Sequence, residues 1–171
     1  MNWPARSSVV FIAPIVTEVA NDYSILHPPA EDRRFLADVD HFKSVNDTYG
    51  HCFGDQVLRE VGGVLTECCR TEDIVCRYGG EEFTILLPNT SLKHAIELAE
   101  RLRLAIEGRP FTCREAPVNI TCSFGVANLR EQVSPSIIEF ADTALYQAKR
   151  SGRNRVDACT EVSPNSNVAI E

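Results

Sequence analysis

The chain has no long apolar run. Its longest, residues 9–16, contains Pro14 and falls far short of the roughly 20 residues that a membrane-spanning helix needs. No small-residue cleavage pattern follows it. Residues 9–16 are therefore expected to be a buried piece of the first helix or strand rather than a signal peptide. Cys-x-x-Cys pairs are also missing, and the seven cysteines are odd in number. Both facts argue against a zinc site or a disulfide framework, and a reducing cytoplasm is the simplest setting. Basic charge is in deficit, with 17 Lys and Arg against 24 Asp and Glu and a net charge of −7. A general nucleic-acid surface is thereby disfavoured, and nothing suggests membrane contact. A nucleotide site stays open, because local charge and bound metal decide that. There is no internal repeat and no sign of a second domain, and 171 residues suit one domain with a real core.

Apolar spacing predicts the elements. Residues 35–39 form a short strand ending in acids. Residues 41–54 read as a polar, turn-rich loop. A helix is expected over 55–70, with Val57, Leu58, Val61, Val64 and Leu65 on one face. Gly62 and Gly63 inside it would each cost about 1 kcal/mol against alanine, which suggests close packing there. Strands 73–78 and 82–87 flank a glycine pair. A second helix, 92–106, is capped by Asn89 or Thr90. Residues 118–126 alternate as a strand with one buried face. A third helix opens at Ser134 or Ser136 and runs to about Arg150, before a basic turn and a last strand near Val156. Residues 27–32 are expected to be a loop. This order predicts an α+β sandwich, with helices on a mostly antiparallel sheet.

The densest chemistry lies in Arg77-Tyr78-Gly79-Gly80-Glu81-Glu82-Phe83. Gly79 and Gly80 between two strand-like runs predict a tight hairpin turn, with both at positive φ. Taken alone, such a turn reads as ordinary solvated surface. Adjacent carboxylates are poor strand formers, however, and a divalent cation would give them a purpose. If the 35–39 strand neighbours the hairpin, Asp38 and Glu81 converge at one sheet end. Two carboxylates plus phosphate oxygens make a reasonable Mg²⁺ site. Asn46 and Asp55 have the groups to read a base edge. Lys149 and Arg153, at i and i+4 near a helix end, could grip phosphates.

Three motifs then resemble the GGDEF family of diguanylate cyclases. They are residues 38–51 with Gly54-Asp55, the GGEEF hairpin at 77–83, and residues 141–149 with Gly152-Arg153-Asn154. They occur in order across about residues 35–156. The resemblance implies a nucleotidyl-cyclase or polymerase-palm-like, ferredoxin-like sandwich. It also implies condensation of two GTP into cyclic di-GMP and two pyrophosphates across a homodimer of two GGDEF domains. By motif position, Asp38, Glu81 and the Val39 carbonyl would hold Mg²⁺ or Mn²⁺. Asn46 and Asp55 would bond guanine. Phe42 and Lys43 would contact phosphates, Lys149 and Arg153 would hold the β- and γ-phosphates, and Gly79 and Gly80 would let GTP approach. Glu82 carries over as a further catalytic carboxylate. Arg70 and Asp73, with Arg101, match the family's inhibitory site for cyclic di-GMP.

Other features keep plain readings. His41 and His51 belong to loop structure, Asp40 is structural, and Cys68-Cys69 is packing. The family's D-x-L-T-G-L-x-N-R-R stretch is absent. Residues 1–34 are therefore read as a divergent or truncated N-terminal segment, 35–158 as the catalytic domain and 159–171 as a flexible tail. Sensor or phosphodiesterase domains are expected in the full-length protein. The competing readings are a catalytically silent module that binds GTP or cyclic di-GMP, and a different nucleotidyl cyclase or polymerase palm.

Overall fold

A computed structural model describes residues 10–11, 33–128 and 137–159. Strands β1 (Val10–Phe11), β2 (Arg33–Val39), β3 (Ile74–Gly79), β4 (Glu82–Leu87), β7 (Cys122–Asn128) and β8 (Val156–Cys159) form one sheet, ordered β1-β3-β4-β2-β7-β8. The three central pairings are antiparallel, and the edge strands β1 and β8 join parallel to β3 and β7. A separate hairpin pairs β5 (Phe111–Cys113) with β6 (Ala116–Val118). The helices are α1 (Phe42–Tyr49), α2 (His51–Cys68), α3 (Leu92–Glu107) and α4 (Ile137–Arg150). The α+β architecture is the one expected from the sequence.

The main core lies where α2 and α3 cover the sheet. Phe35, Phe83, Phe111 and Phe124 are wholly enclosed there with Val57, Leu65 and Leu102. Each such side chain contributes about 1.5–3 kcal/mol by leaving water. α4 packs on β7 and β8 and encloses Leu36, Ala127, Ala141 and Leu145 in a smaller cluster. Gly125 makes that approach possible, since a Cβ there would overlap the backbone of Ala141 and Leu145.

Several elements differ from expectation. Residues 41–54 are not a loop, because α1 and the first turn of α2 occupy them, broken at Gly50 with φ 85°. Phe42 and Val45, three residues apart, bury one face of α1 and hold it on the core. Residues 118–126 are not one half-buried strand. The strand is interrupted at 119–121, and β7 is buried at every position from 122 to 127 because helices pack on both of its faces. α3 is capped by Ser91, whose Oγ accepts from His94 N at 3.3 Å, rather than by Asn89 or Thr90. Gly63 faces open space, so the close packing expected there is absent at that position. Val10–Phe11 form an edge strand. Cys159, expected to open the flexible tail, instead ends β8; the rest of that tail, the expected 27–32 loop and the Ser134 or Ser136 cap lie outside the described residues. Among those residues, no helix is long and apolar enough to cross a membrane.

Candidate active site

The hairpin tip is offset by one residue from the glycine pair. β3 continues through Gly79, and the turn is Gly80-Glu81, with only Gly80 at positive φ (52°). The pairing shifts between Arg77 and Gly79, so Tyr78 is a bulged residue that moves the turn one position along. Arg77 Nε donates to Gly80 O at 2.8 Å and braces the tip. Open space surrounds the Cα of both Gly79 and Gly80.

The offset makes Glu81 a turn residue, while Glu82 begins β4. Val39 N donates to Glu81 O at 3.3 Å, which ties the tip to the end of β2. Asp38 lies opposite Glu82 on one side and Ser123 on the other. The sheet therefore gathers Asp38, Glu81 and Glu82 at one end, as the strand order requires. Asp38 is buried, whereas Glu81 and Glu82 are half-buried. Lys149 extends from α4 to place Nζ 2.7 Å from Asp38 Oδ2. Burial pushes the Asp38 carboxyl up to about 6; Lys149 opposes this, and the Glu81 and Glu82 charges add to it. A carboxylate that is costly to ionise, beside two more acids, is a donor set that a hard cation would relieve. Among the described residues no group of three or more His, Cys, Asp or Glu side chains forms a metal cage. Asp38, Glu81 and the Val39 carbonyl are the oxygen donors of this sheet end that could hold a cation.

The remaining residues lie on α1, on α2 and in the turn beyond α4. Phe42 is buried at the start of α1, and Lys43 beside it is exposed. The Asn46 side chain rests against Gly54, where a Cβ would overlap its amide oxygen. Asp55, the next residue after Gly54, is exposed in the first turns of α2. α4 ends at Arg150, as expected, and Arg153 sits in the basic turn beyond it, with φ 63°, its N–H donating to Ala148 O at 3.0 Å.

Asp40 is buried, and its carboxylate accepts three hydrogen bonds. Oδ1 receives Ser123 Oγ at 2.7 Å, while Oδ2 receives Thr121 Oγ1 at 2.7 Å and Asn154 N at 3.0 Å. Its structural reading therefore stands on geometry. Asn154 belongs to the third motif, but no role was read for it, because its partners lie far away along the chain.

At the opposite end of β3, about 17 Å away at 3.3–3.4 Å per residue, Arg70 N donates to Asp73 Oδ2 at 2.7 Å. Arg101 reaches across from α3, its Nη2 donating to Cys68 O at 3.0 Å. Burial raises the Asp73 carboxyl above its ordinary value, against the lowering effect of Arg70 and Arg101. Asp73 Oδ1 is buried with no hydrogen-bond partner among the described residues. Burial and the Asp73 charge push the Cys69 thiol up to about 12, and both Cys68 and Cys69 pack against the core. Packing, not thiolate chemistry, is their role.

Comparisons with known proteins identify the family. The family model described as "Diguanylate cyclase, GGDEF domain" matches residues 30–155. Diguanylate cyclase DgcP of Pseudomonas aeruginosa is 46% identical over 123 residues, covering 71% of this chain and 18% of that protein. Diguanylate cyclase A of Treponema denticola is also 46% identical over 123 residues, covering 71% of this chain and 33% of its own length. The chain thus spans a third or less of these relatives. Among solved structures, the GGDEF domain of DgcB from Caulobacter crescentus, in complex with c-di-GMP, superposes with TM-score 0.80 at 31% identity, covering 92% of this chain and 98% of that one. An active GGEEF domain of a Vibrio cholerae diguanylate cyclase gives 0.73 at 31% identity, covering 85% and 92%. With the family model spanning most of its length, the chain belongs to the GGDEF family of diguanylate cyclase domains.

Proposed function

We propose that this chain is a diguanylate cyclase, which condenses two GTP into cyclic di-GMP and two pyrophosphates across a homodimer. The observation that carries the reading is the buried Asp38, gathered with Glu81, Glu82 and Lys149 at one end of the sheet. Asp38, Glu81 and the Val39 carbonyl would hold Mg²⁺ or Mn²⁺ against GTP phosphates. The cation, when bound, supplies charge stabilisation at the transferring phosphoryl group. Gly79 and Gly80 leave open space for the nucleotide. Asn46 and Asp55 bond the guanine edge, and Phe42 and Lys43 position phosphates at the start of α1. Lys149 and Arg153 hold the β- and γ-phosphates, which fixes the α-phosphorus for attack. Glu82 adds a carboxylate beside Glu81.

Each domain binds one GTP, so two must face each other for each 3′-hydroxyl to reach the partner's α-phosphate. No covalent enzyme intermediate is needed; positioning and charge stabilisation suffice. Cyclic di-GMP is then both product and feedback inhibitor. The inhibitor would bind Arg70, Asp73 and Arg101, where arginine can fork onto phosphate and stack on guanine. In the full-length protein, sensor or phosphodiesterase domains would bring two copies together.

The test is incubation of the purified chain with GTP and Mg²⁺, followed by chromatographic identification of the product. Cyclic di-GMP is expected. Its absence, with dimerisation forced and residual cyclic di-GMP removed, would leave only a silent nucleotide-binding module.

A further inference from the structure

Arg153 lies in a strained turn beyond α4, and Arg153 and Asn154 both take left-handed backbone angles (φ 63° and 47°). Two consecutive non-glycine residues in that region cost roughly 1–2 kcal/mol each. Such a conformation persists only where its surroundings over-determine it. Here they do so from two sides. From inside, the buried Asp40 carboxylate accepts Asn154 N at 3.0 Å and is itself fixed by Thr121 and Ser123. From outside, the end of α3 grips the Asn154 side chain. Arg103 Nη1 donates to Asn154 Oδ1 at 2.8 Å, and Asn154 Nδ2 donates to Glu107 Oε1 at 2.7 Å. Arg103 only donates and Glu107 only accepts, so this orientation of the amide is the one that satisfies both. Arg103 is in turn fixed by Glu100 at 2.7 Å and Glu107 at 2.9 Å.

We infer that Asn154, clamped by Asp40, Arg103 and Glu107, is the positioning residue that aims Arg153 at the terminal phosphates of the nucleotide. The inference rests on the proposed role of Arg153. It adds that α3, far from the metal ligands in sequence, sets selectivity for a triphosphate over a monophosphate. Asn suits the place, because it tolerates left-handed backbone and offers both a donor and an acceptor.

The experiment is calorimetric binding of a GTP analogue lacking the 3′-hydroxyl, which cannot cyclise, and of the matching monophosphate, both with Mg²⁺. The readout is the ratio of the two affinities. Asn154→Gly keeps the left-handed backbone and the N–H bond to Asp40 and loses the side-chain bonds to Arg103 and Glu107, while Arg103→Met loosens the clamp from the helix side. Both are expected to lower the triphosphate preference by about tenfold, the equivalent of one weakened charge-assisted bond. Monophosphate affinity should stay unchanged, which also verifies the fold. Arg153→Ala should lower the preference at least as far, and Asn154→Gly added to it should do nothing more. If Arg153→Ala lowers the preference while Asn154→Gly and Arg103→Met keep the wild-type ratio, the clamp positions nothing and the inference is overturned. If Arg153→Ala also keeps that ratio, the phosphate role of Arg153 fails, and the inference falls with it.

Discussion

Replacing Asp38 with Asn should make the metal-free protein more stable while destroying its activity. Asp38 is only 6% exposed, and its carboxyl is raised from 3.8 to about 6. At roughly 1.4 kcal/mol per pH unit, the ionised form therefore costs the native state about 3 kcal/mol. Because the native pKa is the higher one, the native state holds more protons than the unfolded chain between about pH 4 and 6. The stabilising effect is full below pH 4 and is lost as pH rises through 6. Asparagine resembles the neutral form and escapes this loss. Without metal at pH 7.5, Asp38→Asn should melt between about 6 and 12 °C above wild type, at 2–4 °C per kcal/mol for a chain of this size. Melting curves from pH 4 to 8 should show the gap opening with rising pH. Divalent cation should then raise the wild-type midpoint and leave the variant unmoved, because binding to the native state alone stabilises it. A variant that melts at or below wild type at pH 7.5, with no pH-dependent gap, would refute the reasoning.

Glu81→Gln removes a charge at the turn and weakens the cation site, so turnover should fall below detection with the melting temperature nearly unchanged; full activity would sink the metal assignment. Arg70→Ala keeps the backbone bond to Asp73 and deletes only the guanidinium. Catalysis should persist, and cyclic di-GMP should inhibit about 10–100-fold more weakly, the worth of one charge-assisted contact; unaltered inhibition would discard that site. Gly63→Ala, in mid-helix with open space around it, should stabilise by about 1 kcal/mol and raise the midpoint by roughly 2–4 °C. A drop in stability there would mean that the helix packs more tightly at that point than the structure shows.

The hairpin and the long helices were legible because their signals are local. The 82–87 strand and the apolar stripe of α2 fall where periodicity puts them. α1 was missed for a physical reason. His41 before it is left-handed and makes no side-chain cap, and only Phe42 and Val45 are buried, so neither a start signal nor a full apolar stripe is present. The polar residues of 119–123 suggested a solvated face. Ser123 is instead fully buried, satisfied by Asp40, and only the packing of helices on both sides of β7 explains that. Asp38 and Glu81 were identifiable as types, but their approach depends on β4 pairing with β2 across the sheet. Asn154 was visible only as the last residue of a motif, and its role was not, since its bonds to Asp40 and Glu107 span 114 and 47 residues.

The most direct measurement compares cyclic di-GMP formed from GTP and Mg²⁺ by wild type and by Asp38→Asn, at the same protein concentration and below both melting points. Product from wild type and none from the more stable variant is the expected result. Equal product from both, or none from wild type under forced dimerisation, would contradict the assignment of this sheet end as the site of the reaction.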